Sequence, residues 1–300
     1  MARPRVGIIL LNWNQEEDTV ECLSSLSSID YPHHEIVLVD NGSTDGSPDR
    51  IKNKFPGVTL LKNKANLGFA EGNNVGIRHL QKTGADYFLL LNNDTVVSDN
   101  FLSRLIDEAE RRPECGILGP KIVYYDSPGV IWYAGGGVSR LTGRTYHFGL
   151  RKPDSSAYDS VRRVDFVTGC AMLIKRRVVD EIGGLDPDFF NSHEDVDFCL
   201  RARGRGFTML YVPSSVIRHK YARAMGGGFS PFYIYYRVRN GLLLAKKNRF
   251  PVWMRSYAGA IYPLKMLLFT LFTLNLGGAR SVLLGIRDFL LGRVGMGGGK

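Results

Sequence analysis

Three carboxylates fall within four positions in His193-Glu194-Asp195-Val196-Asp197, and neighbouring acids of this kind can do general acid–base work. Glu194 and Asp195 are the candidate pair. Taken alone, the run has a plainer explanation: Ser192 caps a helix whose first-turn acids favour its dipole, with Asp195 closing a capping box. Two further acidic turns shift the balance. Asp40 and Asp94 each follow an apolar run that reads as a buried strand, and acids at strand ends line a cleft. His219 also follows a strand-like run, downstream of the acids, and joins as a candidate, although a lone histidine is more often a surface or core residue.

A cleft of that kind needs a sheet to hold it. The run 6–11 is continuously apolar, as in a strand buried on both faces of a parallel sheet, and Asn12-Trp13-Asn14 ends it. Val20, Leu23 and Leu26 recur at helical spacing over 15–28, and a second strand, 35–39, runs into the turn-forming stretch from Asp40 to Pro48. Ser47 and Pro48 announce the next helix. A strand at 58–61, a helix over 69–82, a strand at 87–91 and a helix over 101–112 continue the β-α-β rhythm of a wound sheet. No GxGxxG follows the first strand and no GxxxxGK[ST] occurs, so dinucleotide and P-loop sites lack their phosphate-cradling glycines. The stretch 120–165 reads as an irregular insertion with short antiparallel strands. Order resumes over 164–174, followed by a short helix ending at Gly183-Gly184, a helix over 194–204, a strand at 207–212 and the segment 216–219.

The chain has 300 residues, 44% of them hydrophobic, which suits one main domain with an appendage. Thirty-nine Lys and Arg against 29 Asp and Glu give a formal charge of +10, which fits an anionic partner: nucleotide phosphates, nucleic acid or an acidic membrane face. Cys22, Cys115, Cys170 and Cys199 are scattered with no CxxC pair, as expected of reduced, buried thiols in a cytosolic protein. Met1 to Arg5 runs into a strand with no cleavage pattern, so no signal peptide is expected. In the last third, Tyr233, Tyr235 and Tyr236 interleave with Arg237 and Arg239 before Asn240, a belt suited to a membrane interface or a diphosphate head group. The apolar stretch 258–279 is interrupted by Pro263, Lys265 and Asn275, which favours an interfacial or re-entrant segment over a spanning helix. An amphipathic helix over 280–293 follows; an ordinary core or dimer-forming helical hairpin explains the same pattern.

NLGFAEGNNVGI at 66–77, LLLNNDT at 89–95 and GGLDPDFFNSHEDVDFCLRARGRGF at 183–207, in this order with the acidic turns, resemble glycosyltransferase family 2 over about 5–245. Their details look most like its rhamnosyltransferase-type members. The resemblance implies an α/β fold of GT-A type: a Rossmann-like, mixed, mostly parallel sheet flanked by helices. It places a nucleotide-sugar-binding catalytic domain at 1–230; composition adds a C-terminal helical membrane-associating extension at 231–294 and a disordered tail at 295–300.

The same resemblance assigns roles. Asp40 would accept the ring N–H of a uracil or thymine, with Trp13 flanking the base and Asn73 and Asn93 near the nucleotide; a turn aspartate bonding its own backbone is the alternative for Asp40. Asn73 stands where many relatives carry arginine. Asp94 matches the last acid of the DxD-like motif, with Asn92 and Asn93 replacing the other carboxylates, and His219 stands where relatives often supply another ligand to Mg²⁺ or Mn²⁺. Asp195 matches the general base, with Glu194 orienting the acceptor, which implies single displacement with inversion. Asp197 is expected to be a structural acid meeting an arginine, and Arg201, Arg203 and Arg205 a solvated set. Arg239 and Asn240 are candidates for the acceptor or its diphosphate. The implied partners are a dTDP- or UDP-sugar, with dTDP-rhamnose leading, a polyprenyl-diphosphate-linked or other glycan acceptor, and the inner face of the cell membrane, where the enzyme would sit peripherally, with a homodimer open. A sugar-phosphate nucleotidyltransferase would want a glycine- and lysine-rich phosphate loop that Arg3-Pro4-Arg5 replaces poorly. A nucleic-acid-binding protein would want aromatic RNP strands or zinc spacing, which are missing, so no nucleic acid is expected. A catalytically idle sugar-binding scaffold would bind donor without turnover.

Overall fold

The computed structural model describes residues 3–221 and 229–297. Its first half is the wound unit: β1 (Val6–Asn12), α1 (Glu16–Leu26), β2 (His34–Asp40), α2 (Ser47–Lys54), β3 (Thr59–Lys62), α3 (Gly68–Thr83) and β4 (Tyr87–Asn92). Six of the seven β1 residues are buried, because β1 lies between β2 and β4 with helices over the faces of the sheet. Both pairings are parallel, with Asn12 opposite Asp40 and Leu11 opposite Asn92, so the polar residues that end three strands share one edge. The chain winds outward from β1 to β2 and β3, then returns to β4 on the other side, which makes this edge a topological switch point. The Gly72 and Gly76 repeat lets α3 approach β1: a methyl group there would stand 2.6 Å from Leu11 Cδ1 and 2.7 Å from Ile9 Cγ2.

The second half comprises β5 (Thr95–Val97), α4 (Phe101–Arg111), β6 (Cys115–Tyr124), β7 (Ser127–Tyr133), β8 (Gly136–Val138), β9 (Thr145–His147), β10 (Arg162–Val164), β11 (Ala171–Lys175), α5 (Arg176–Ile182), α6 (Glu194–Gly204) and β12 (Thr208–His219). The main sheet runs β10-β12-β6-β11-β4-β1-β2-β3, with β5 on β12 and β7 on β6. β11 is antiparallel to both β4 and β6, so the sheet is mixed. Two expectations change. The first residues of the supposed insertion, 120–124, are the second half of a buried inner strand, β6, which Gly119 and Pro120 hid, and the segments 207–212 and 216–219 form one strand with a register shift between Val212 and Val216 around Pro213. The four cysteines are buried and unpaired, as expected.

α7 (Pro231–Lys247), α8 (Val252–Ser256), α9 (Tyr262–Phe272) and α10 (Leu276–Leu290) close the chain, with a π turn at Tyr257–Ile261 between α8 and α9. The last helix begins at Leu276 rather than at Arg280, because the turn before it falls inside the expected apolar stretch, where Asn275 caps Gly278. Ile234, Val238 and Leu242 of α7 pack with Val282 of α10, whereas Leu243 and Leu244 enter the main core, so α7 joins both parts. No helix among the described residues is long and apolar enough to cross a membrane. The hairpin nevertheless turns Leu264, Leu268, Phe272, Leu274 and Leu276 outward, Phe272 with 89% of its surface exposed. The tail expectation is corrected for 295–297: Gly295 N donates to Asp188 O at 2.8 Å and Tyr236 Oη to Met296 O at 2.5 Å. Residues 298–300 lie outside the described ones.

Asp197 is the structural acid expected. Its buried carboxylate accepts from Arg201 Nε at 2.7 Å and from Asn248 Nδ2 at 2.8 Å, tying α6 to the end of α7. Arg201 also donates to the Ile182 and Gly184 carbonyls, so it is no free solvated residue. Removing one partner of a buried, charge-assisted pair strands the other. Asp197→Ala is therefore expected to lower the unfolding free energy by about 2 kcal/mol, read from urea denaturation, the partial exposure of Arg201 keeping the loss at the lower end.

Candidate active site

β4 ends at Asn92, and Asp94 stands in the tight turn before β5. β5 then pairs with the end of β12, setting Thr95 opposite His219, while Lys220 N donates to Asp94 O at 2.9 Å. This ladder brings together side chains 125 positions apart: Asp94 Oδ1 lies 3.2 Å from His219 Nε2. Both residues are buried, and neither Asp94 Oδ1 nor His219 Nδ1 has a hydrogen-bond partner. Burial drives the Asp94 carboxyl upward, but the adjacent His219 charge outweighs it and holds Asp94 below the usual range. For His219, burial acts downward, and the Cys170 sulfur and Asp94 beside it raise it well above its ordinary value. The Trp132 ring stands edge-on to the imidazole, 4.6 Å between centroids, and fixes its plane.

A carboxylate oxygen without a hydrogen-bond partner, facing an imidazole nitrogen that gives up its proton as the ion binds, is a donor set that fits a divalent cation. No cluster of three or more metal-ligating His, Cys, Asp or Glu occurs among the described residues. Diphosphate oxygens and water would have to complete the shell.

Asp195 lies on the other side of the turn 168–170. Its Oδ2 accepts from Gly169 N at 2.9 Å and its Oδ1 from Val196 N at 2.8 Å. Cys170, the next residue, feels both Asp94 and Asp195 and accepts at its carbonyl from Asn92 N at 2.9 Å. One short turn thus separates the cation pair from the acid pair. The capping-box alternative is not what forms: the residue preceding α6 is His193, in a left-handed conformation and with no side-chain cap. Burial raises the Glu194 carboxyl well above the usual range, Asp195 adding to it, and Glu194 Oε2 has no hydrogen-bond partner. Asp195 is raised by burial too, but its backbone N–H donors favour the charged form. Burial raises both acids, and only Asp195 has backbone N–H donors that offset it, so the two environments differ in the direction expected of an acid beside a base.

The segment leading into α6 is strained. Phe190, Ser192 and His193 all have positive φ, at 57°, 70° and 74°. Asn240 Nδ2 holds it through the carbonyls of Phe189, Asn191 and Ser192 at 2.7, 2.7 and 2.8 Å, and Arg239 donates to Asp188 O at 3.1 Å, Phe189 O at 3.0 Å and Gly295 O at 2.8 Å. Both side chains are wholly buried. The assignment of Arg239 and Asn240 to the acceptor or its diphosphate is therefore corrected: their donors face backbone carbonyls, and they act by holding the turn before the acid pair.

At the β1–β2 edge, Asp40 accepts from Ser43 N at 3.1 Å, Ser43 Oγ at 2.5 Å and Asn12 Nδ2 at 3.1 Å. Asn12 Oδ1 faces Thr19 Oγ1 at 3.0 Å, which accepts from Asn93 Nδ2 at 2.8 Å. A buried polar chain therefore runs from Asp40 to the residue beside Asp94. Asn12 and Thr19 were absent from the sequence candidates; the available signal was a polar residue finishing an otherwise apolar buried strand. Trp13 is half exposed beside this chain, free to flank a planar ring. Asn73 is buried on α3 and donates to Phe69 O at 2.8 Å, one turn back on its own helix.

A model of the family described as "Glycosyltransferase like family 2" matches residues 4–231. The chain is 31% identical over 224 residues to an N-acetylglucosaminyl-diphospho-decaprenol L-rhamnosyltransferase of Mycobacterium tuberculosis, covering 68% of this chain and 72% of the relative. It is 28% identical over 208 residues to the low-salt glycan biosynthesis hexosyltransferase Agl10 of Haloferax volcanii, 66% of this chain and 61% of that one. Among solved structures, the mannosyltransferase PcManGT from Pyrobaculum calidifontis, in complex with GDP-Man and Mn²⁺, superposes with a TM-score of 0.60 at 16% identity, over 97% of this chain and 76% of that one.

Proposed function

The chain belongs to glycosyltransferase family 2, and from that premise we propose that it moves a sugar, rhamnose first among candidates, from a pyrimidine nucleoside diphosphate to a hydroxyl of a polyprenyl-diphosphate-linked glycan at a membrane surface. The observation that carries this is the division of labour across the turn 168–170: a cation-fitting Asp94–His219 pair on one side and a split acid pair on the other. A bound Mg²⁺ or Mn²⁺ would offset the charge that builds on the departing diphosphate.

The chain's own groups account for the rest. Asp40, held by Asn12 and Ser43 at the end of β2, would accept the ring N–H of a pyrimidine, and Trp13 offers a face to stack on. Glu194, kept protonated, donates to an acceptor oxygen. Asp195 takes the proton from the attacking hydroxyl as the new bond forms, late because a carboxylate is a much weaker base than an alkoxide. Attack from the face opposite the diphosphate inverts the anomeric centre. The apolar outward face of α9 and the turn after it suits a membrane-tethered acceptor.

The test is a panel of dTDP-, UDP- and GDP-sugars with Mg²⁺ or Mn²⁺, reading the nucleoside diphosphate released with and without a polyprenyl-diphosphate-linked acceptor. A preference for pyrimidine donors with acceptor-stimulated release is expected, and a preference for GDP-sugars would remove the role given to Asp40. Asp40→Asn is expected to raise the donor KM about tenfold with little change in kcat, since a charge-assisted bond made in both ground and transition state is lost.

A further inference from the structure

The polar belt on α7 holds a cation, Arg237, that meets neither a carboxylate nor a backbone carbonyl among the described residues. Lys121, Lys220 and Lys247 each meet two carboxylates. Arg237 has none within ion-pair distance among the described residues, and 222–228 contains no acid. Its contact is with a phenol, Nη1 donating to Tyr233 Oη at 2.6 Å. A guanidinium partly withdrawn from water without a counter-charge is costly, and a site that keeps one is arranged for an incoming anion.

The surroundings point the same way. Arg237 lines a cavity of about 50 Å³ together with Arg144, His193, Tyr257 and Tyr262. His193 Nδ1 is buried with no hydrogen-bond partner, and the buried Tyr262 hydroxyl lies against the Arg237 guanidinium. Burial, and then the nearby Arg237 charge, pull His193 down to about 3, so the imidazole is neutral and can donate from one nitrogen. Two guanidinium groups, two phenols and an imidazole around one space, with no carboxylate among them, form a donor set for a phosphate or diphosphate.

Placement narrows the ligand. Of the cavity's lining residues, His193 directly precedes Glu194, while Tyr257 lies in the π turn before α9 and Tyr262 opens α9, whose Leu264, Leu268 and Phe272 face outward. A diphosphate in this cavity would have a sugar directed to the acid pair and an alkyl chain directed to the apolar face. We propose that this cavity binds the diphosphate of the lipid-linked acceptor, with Arg237 as its principal counter-charge. The assignment of this ligand rests on the function proposed above.

Binding of decyl diphosphate, dTDP and inorganic pyrophosphate to the full chain and to Arg237→Gln, followed by calorimetry, tests it, with a neutral decyl glycoside as control for the alkyl chain. Arg237→Gln is expected to weaken decyl diphosphate at least tenfold, to leave dTDP within twofold, and to be partly rescued in Arg237→Lys. Equal binding of decyl diphosphate by parent and variant overturns the site, as does a loss that falls on dTDP instead. Pyrophosphate binding as tight as that of decyl diphosphate would overturn the lipid assignment and leave a free-anion site. Should Arg237→Gln fail to fold, Tyr262→Phe is expected to weaken decyl diphosphate several-fold. If Arg237-dependent binding holds while the parent transfers no sugar to a diphosphate-linked glycan, the proposed function falls and the site stands.

Discussion

Asp195→Asn is expected to lower the rate of sugar transfer by about 10³-fold while leaving donor binding within twofold, within the 10²- to 10⁴-fold range associated with a positioned general base. The variant is close to isosteric, and its amide oxygen can still accept from Gly169 N, so the turn 168–170 and the Asp94–His219 pair should keep their places. What disappears is the site that receives the acceptor's proton. The pH profile distinguishes this from a structural defect. Burial raises the Asp195 carboxyl, and the working form is the ionised one, so kcat/KM of the parent should rise with pH through a value above that of an ordinary aspartate and then level off. The variant's residual activity should lack that limb. Linkage gives a second readout of opposite sign. A carboxyl raised in the folded state favours the fold when protonated, and that contribution is lost as pH rises through the folded pKa. At neutral pH, Glu194→Gln and Asp195→Asn should therefore melt higher than the parent while transferring less. A variant that keeps the parent's transfer rate would end the assignment of Asp195 as base.

Which parts of this site were legible in the sequence follows from how local each constraint is. The wound half could be followed because its strands are buried on both faces, so Val6 to Leu11 and Tyr87 to Leu91 read as unbroken apolar runs. β6 was missed for a local reason, Gly119 and Pro120 being turn signals that only the neighbouring strands overrule. Asp94 and His219 were each chosen separately; their 3.2 Å approach depends on the three-residue β5, too short to show any period. Arg239 and Asn240 show the opposite failure. Their types suggested an anion, but the strained carbonyl-rich turn 189–192 they satisfy is invisible until α7 is laid against it. The cation that does face open space, two positions earlier at Arg237, has the same composition and a different partner. Residue type states what a side chain can bind, and only packing states what it has already bound.

Asp94→Ala is expected to reduce transfer by at least 10³-fold, since it removes the carboxylate oxygen of the proposed Asp94–His219 cation site. A site with a cluster of acids could redistribute its ligands after losing one. Here Asn92 and Asn93 precede Asp94, and no other carboxylate is grouped with the pair among the described residues, so none of these can substitute. His219→Ala should be milder, about 10- to 100-fold, because a water can take the place of an imidazole nitrogen on a hard cation, and it should shift the preferred ion from Mn²⁺ towards Mg²⁺. Paramagnetic resonance of Mn²⁺ titrated in the presence of dTDP checks both without turnover: the parent should quench the free-ion signal, His219→Ala should do so more weakly, and Asp94→Ala should leave it near that of dTDP and Mn²⁺ alone. The same titration separates cation loss from collapse of the β5–β12 ladder, because Asp94→Asn keeps the shape and the backbone bond from Lys220 but offers a weaker, neutral oxygen. It should bind Mn²⁺ between the parent and alanine. If all three variants quenched like the parent, the orphaned Asp94 oxygen would have to be reassigned to a hydrogen-bond donor on the substrate, and transfer would then survive chelation of divalent ions.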